Sequence, residues 1–204
     1  MHCRSIRLAA AASLLLGLAA AMPAAHAAVT TYTAILSGAQ EAPPNTSTAM
    51  GATVLRFDAA SHMLEVDVAF GSLLGTSTAA HIHCCTDTAG AGTAPVMTEL
   101  PSFTGFPLGV HAGAYSHVFD TTLSSTWNPA FIASHGGTIA GAESAFAMGL
   151  GSGTAYLNIH STAYPGGEIR GFLQAPAVPE PANIAMLGLG VPAVLLAARR
   201  RRRA

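Results

Sequence analysis

From His62 to Phe70 the chain alternates strictly, with Leu64, Val66, Val68 and Phe70 on one side and Met63, Glu65, Asp67 and Ala69 on the other. Period two marks a strand with one face toward a core and one toward water. Similar runs occur at Thr31 to Leu36, Gly51 to Phe57, Thr78 to His83, Tyr115 to Leu123, Thr154 to His160 and Glu168 to Leu173. About seven strands divided by Gly, Pro, Ser and Thr clusters predict an all-β, antiparallel β-sandwich. Two helical segments are expected, at Pro129 to Ser134 and at Ala142 to Leu150, the second ending at Gly151. Residues 84–114 fit neither period, and a connection of that length usually carries function or hides a short strand.

The two ends follow another logic. Residues 1–27 begin with Arg4 and Arg7, continue through an apolar stretch from Leu8 to Ala21 and close on Ala25-His26-Ala27. That is the layout of a secretory signal peptide cleaved by signal peptidase after Ala27. Residues 177–204 contain Pro179-Glu180-Pro181, an uncharged span at 182–198, and Arg199, Arg200, Arg201, Arg202 and Arg203 at 199–203. Seventeen residues at the helical rise reach about 26 Å, enough for a transmembrane helix across a thin inner membrane. The arginines would stay in the cytoplasm. This three-part ending resembles the PEP-CTERM sorting signal of Gram-negative, exopolysaccharide-producing bacteria. The resemblance implies recognition and removal by an exosortase-type enzyme after transient anchoring in the inner membrane, then display at the cell surface or release. The domain between the ends is expected to span 28–176.

With the ends set aside, the charge balance changes. The whole chain carries nine basic and ten acidic residues. Between Ala28 and Val178 only Arg56 and Arg170 face nine carboxylates, a net charge of −7. An acidic domain without a basic patch is a poor nucleic-acid binder. Cys3 leaves with the signal, so Cys84 and Cys85 are the remaining thiols. In an exported chain they are expected to pair as a vicinal disulfide, with free thiols and metal ligation as the alternatives.

Seven histidines remain in the domain. His81-Ile82-His83 on a strand sends both imidazoles to one face, and Asn158-Ile159-His160 repeats the arrangement. After the Pro165-Gly166-Gly167 turn, Glu168 and Arg170 share a face. If these strands are neighbours, their polar groups meet. Two chemistries fit. His81, His83 and His160 form a site for Zn or Cu, with Glu168, Asn158 or Cys85 as a further partner; or the imidazoles, the amide and a Glu168–Arg170 pair form a hydrogen-bonded network that fixes strand register. His62, His111, His117 and His135 have no such spacing and are expected on the surface or in loops.

Four blocks resemble the CHRD domain, the module repeated in the animal morphogen antagonist chordin and found singly in exported bacterial proteins. They are Ser37-Gly38-Ala39-Gln40-Glu41-Ala42-Pro43-Pro44, Ala79-Ala80-His81-Ile82-His83, Ala155-Tyr156-Leu157-Asn158-Ile159-His160-Ser161 and Pro165-Gly166-Gly167-Glu168-Ile169-Arg170-Gly171-Phe172-Leu173. The resemblance spans about residues 31–174 and implies an immunoglobulin-like sandwich with no established enzymatic activity. The sequence departs from the family where Cys84-Cys85 replaces a Gly after the second block and where Ser161 replaces a Thr.

The expected function is therefore an exported surface or matrix module whose partners are exopolysaccharide or other surface proteins. The alternative is a metal-binding protein, superoxide-dismutase-like at its most enzymatic. A two-metal ligand set is missing, and no G-x-S-x-G nucleophile elbow supports a hydrolase.

Overall fold

The structure, a computed structural model, describes residues 29–176. The signal segment, Pro179-Glu180-Pro181, the 182–198 span and the arginine tail lie outside the described residues. Among the described residues no helix is long and apolar enough to cross a membrane.

Seven strands and two short helices follow one another as β1 (Thr30–Ser37), β2 (Met50–Asp58), β3 (Met63–Gly71), β4 (Ser77–His83), β5 (Gly113–Asp120), α1 (Pro129–Ser134), α2 (Ile139–Ser152), β6 (Tyr156–Ser161) and β7 (Ile169–Phe172). The strands form one curled sheet in the order β4-β6-β7-β1-β2-β3-β5. Every pairing is antiparallel. The long β1–β2–β3–β5 ladder joins the β4–β6–β7 ladder through Ser37 opposite Arg170 and a bridge from Thr33 to Gln174.

The alternation read from the sequence sets the inner face. Leu36, Leu55, Leu64, Val66, Ile82, Leu157, Ile159 and Ile169 belong to one apolar cluster and are wholly buried. Helix α2 adds Ala142, Ala145, Phe146, Gly149 and Leu150 at helical spacing, and Phe146 meets Phe57 edge-on at 5.5 Å. Trp127 is buried between Phe131 and Phe146, with its indole N–H donated to Thr121 O at 2.9 Å.

Residues 84–112 bridge the two outer strands of the sheet. Phe103 N–H donates to Ala80 O of β4, while the Phe103 ring stacks on Tyr115 of β5 at 5.6 Å. A strand-like bridge from His83 to Val96 is hidden in this segment. It runs along β4, where Met97 N–H reaches Ile82 O and Cys84 N–H reaches Pro95 O.

Some boundaries differ from the sequence pattern. Strand β5 stops at Asp120 rather than Leu123, because the Asp120 carboxylate accepts from Thr122 N–H and Oγ and folds the chain into a turn. Helix α2 starts earlier than Ala142, at Ile139, since Thr138 caps it by accepting from Gly141 N–H at 3.1 Å. It passes Gly151 and ends at Gly153, whose φ of 68° is the left-handed cap that glycine favours. Strands β6 and β7 begin at Tyr156 and Ile169, slightly later than Thr154 and Glu168.

Candidate metal centre

The β4–β6–β7 ladder has a second face, turned away from the apolar cluster. Register places His81 opposite Asn158, Ala79 opposite His160, His83 opposite Tyr156, and Asn158 opposite Arg170. Because side chains alternate, His81, His83, Tyr156, Asn158, His160, Arg170 and Phe172 share this face. It is largely closed to water: His81 and His83 are 6% and 9% exposed, Asn158 2% and Arg170 4%, while His160 is half-buried.

Each of the three imidazoles uses one ring nitrogen on a backbone carbonyl. His81 Nε2 lies 2.6 Å from Pro101 O, His83 Nδ1 2.9 Å from Ala94 O, and His160 Nδ1 2.9 Å from Pro165 O. A carbonyl only accepts, so each of these nitrogens carries the proton. The other nitrogen of each neutral ring is therefore a bare lone pair. Those three atoms, His81 Nδ1, His83 Nε2 and His160 Nε2, are buried and make no hydrogen bond. They offer lone pairs within 4.8 Å of one another. Among the described residues no cysteine, aspartate or glutamate joins the group.

Burial holds the rings neutral. It lowers His83 to about 4, opposed by the bond to Ala94 and reinforced by His81, His160 and Arg170. His81 and His160 are also lowered, first by burial. His83 stacks on Tyr156 at 4.8 Å and 6°, which fixes its ring plane. The Tyr156 hydroxyl is 3.3 Å from Ala94 O, the carbonyl that orients His83.

The neighbouring polar groups serve another cluster. The Glu168–Arg170 pair of the register-fixing alternative does not form. Arg170 instead lies 3.8 Å from Glu41, donates to Gln40 O and rests over Tyr156 at 4.8 Å and Phe172 at 5.6 Å. Asn158 donates to Glu41 at 2.6 Å and to Ile169 O at 3.1 Å, which directs it away from the imidazoles. Glu168 accepts from Ser47 Oγ at 2.7 Å and from the amides of Leu74 and Gly75. Burial raises its pKa, but the bonds from Ser161, Ser47 and these amides outweigh that and hold it below the ordinary range.

Cys84 and Cys85 are bonded to each other as a vicinal disulfide. Both sulfurs pack where a Cβ on Gly149 of α2 would stand. Of the remaining histidines, His62 is 2.9 Å from Glu143, His111 reaches Leu73 O, His135 reaches Phe131 O, and His117 lies against Phe119. None joins the triad.

Glu41 and the three orienting carbonyls are what the sequence reading missed. Glu41 had a signal: Arg170 is one of two arginines in the domain, and Glu41 is the one acidic residue before Asp58. The carbonyls of Ala94, Pro101 and Pro165 belong to loops and carry no side-chain signature.

A family model described as CHRD domain matches residues 32–173. No curated protein matches the chain. No solved structure matches it.

Proposed function

The chain belongs to the CHRD domain family, and from that premise we propose that it is an exported surface module that holds one Zn or Cu ion on His81, His83 and His160. The carrying observation is the set of three buried, unpartnered imidazole nitrogens that converge while each ring's other nitrogen is held by a carbonyl. A register-fixing network would have used those nitrogens in hydrogen bonds, since a buried acceptor left unpaired costs about 1–3 kcal/mol. A metal ion satisfies all three together. Carbonyls behind the rings are the usual means of fixing tautomer and orientation in metal-bound histidine.

Export rests on the sequence of the two ends: a signal peptide at 1–27, and a PEP-CTERM-like segment handled by an exosortase-type enzyme after passage through the inner membrane. The domain is then a cell-surface or matrix component, with exopolysaccharide or surface proteins as partners. A sandwich of immunoglobulin type is supported by the way the β4–β6–β7 ladder and the β1–β2–β3–β5 ladder contribute to one apolar cluster.

The test is metal analysis of the purified exported chain after loading and desalting. We expect about one equivalent per chain, as three ligands from one site require. His83→Ala and His160→Ala should each weaken binding by more than the roughly 10–100-fold that losing a residue behind a ligand costs. A wild-type chain that stays metal-free, with both variants merely less stable, would sink the proposal in favour of the register-fixing network.

A further inference from the structure

We propose that the triad is built for copper in its monovalent state. The inference rests on the metal reading above and concerns which ion the site selects.

The first argument is charge. All three donors are neutral imidazoles, their tautomers set by Pro101, Ala94 and Pro165. No thiolate or carboxylate accompanies them among the described residues. The Glu41 carboxylate, which shares partners with this face, is already engaged by Arg170 and Asn158. The nearest fixed cation works against a bound ion: the Arg170 guanidinium lies 4.8 Å from the centre of the Tyr156 ring, which itself stacks on His83. The cost of moving an ion out of water grows with the square of its charge, so a dication pays about four times what a monocation pays in the same uncharged cage.

The second argument is coordination number. Zinc in proteins is almost always four-coordinate, and a three-histidine zinc site keeps its fourth position for water or substrate. Here all three lone-pair nitrogens are buried, their rings held by carbonyls of the 84–112 segment and the β6–β7 turn, and among the described residues no cysteine, aspartate or glutamate stands beside them as a fourth ligand. Monovalent copper tolerates three nitrogen donors without a fourth ligand, and its single charge leaves less to balance than a dication's. Imidazole is an accepted copper ligand.

Ala79 offers a way to test charge separately from shape. It is half-buried on the same face as His81 and sits opposite His160 in the β4–β6 register. Ala79→Asp would place a carboxylate beside the triad without altering a ligand or the Glu41 cluster.

The experiment is competition for metal by the full exported chain, with Cu(I) measured anaerobically against a chromophoric chelator, and Cu(II) and Zn(II) measured likewise. We expect Cu(I) to be held at least about 100-fold more tightly than either dication. Ala79→Asp, verified as folded by circular dichroism, should narrow that ratio roughly tenfold, because one added negative charge favours the dication more. Equal affinity for Zn(II) or Cu(II) in the wild type overturns monovalent selection while leaving the metal site standing. Failure to bind any of the three ions overturns both. A folded Ala79→Asp with an unchanged ratio overturns the charge argument on which the selection rests.

Discussion

Arg170→Ala should destabilise the domain by about 3–5 kcal/mol near pH 8, the cost of leaving one member of a buried ion pair alone. Arg170 is 4% exposed, donates to Gln40 O, lies 3.8 Å from Glu41 and covers the Tyr156 and Phe172 rings. Truncation removes the charge and the packing together. Glu41 is then a buried carboxylate held by Asn158 alone among side chains. Burial raises Glu41 from the ordinary carboxylate range to about 7, even though the Arg170 charge pulls it down. Without Arg170 it rises further. A folded-state pKa above the unfolded one means that the native state binds the extra proton, so stability increases as pH falls through that window.

The gap between wild type and Arg170→Ala should therefore shrink from pH 8 to pH 5. The histidine contribution has the opposite sign and does not cancel completely in the difference: Arg170 helps to lower His83, so Arg170→Ala relieves part of that loss and shrinks the gap in the same direction. His83, at about 4 in the fold and well below the ordinary imidazole range, costs both proteins stability as pH falls toward that value. Urea unfolding of the metal-free proteins at several pH values measures the gap directly. Glu41→Gln combined with Arg170→Met should recover part of the loss, because neither charge is then stranded. A loss below about 1 kcal/mol at pH 8, the range of a solvent-exposed pair, would mean that Glu41 and Arg170 do not depend on each other.

That pair also shows where sequence reasoning stops. Period-two alternation located all seven strands, since burying one face of a strand leaves its mark at every second residue. The same rule placed His81, His83 and His160 on one face, and adjacency of β4 and β6 brought them together. What alternation does not encode is partner choice between segments far apart in sequence. Glu168 and Arg170 are two residues apart, so local reasoning pairs them. The fold instead brings Glu41 to Arg170 across the β1–β7 junction, and Ser47, Leu74 and Gly75 to Glu168.

The 84–112 segment was opaque for a related reason. Its contribution to the site is main-chain carbonyls at Ala94 and Pro101 and a backbone track along β4. Backbone groups are the same for every residue type, so no composition marks them. The sequence pattern ends helix α2 at Gly151 because glycine there looks like a terminator. Thr138 and Gly153 supply the actual caps, and Gly149 is kept small by the two sulfurs packed against it.

Gly171→Ala should cost about 3 kcal/mol or more, at or beyond the upper end of overpacking penalties, because the obstruction is backbone rather than a movable side chain. A Cβ at Gly171 would fall on the Ile35 carbonyl, well inside van der Waals contact, and 3.1 Å from Ala34 Cβ. Relief requires β7 to move away from β1. That contact is the narrow seam of the sheet: one ladder pair, Ser37 with Arg170, and one bridge, Thr33 with Gln174, join the ladder bearing the histidines to the ladder that builds most of the core. Moving β7 outward also pulls Arg170 from Glu41, so the two losses compound. Gly151→Ala is the matched control. It lies inside α2 with nothing within 4 Å of the added carbon. There the same substitution should stabilise by about 0.5–1 kcal/mol through helix propensity. Unfolding midpoints of the two variants should thus move in opposite directions. A Gly171→Ala protein as stable as wild type would show that β7 does not press against β1 at Ile35. The histidine face would then have to be held against the core by something other than this seam.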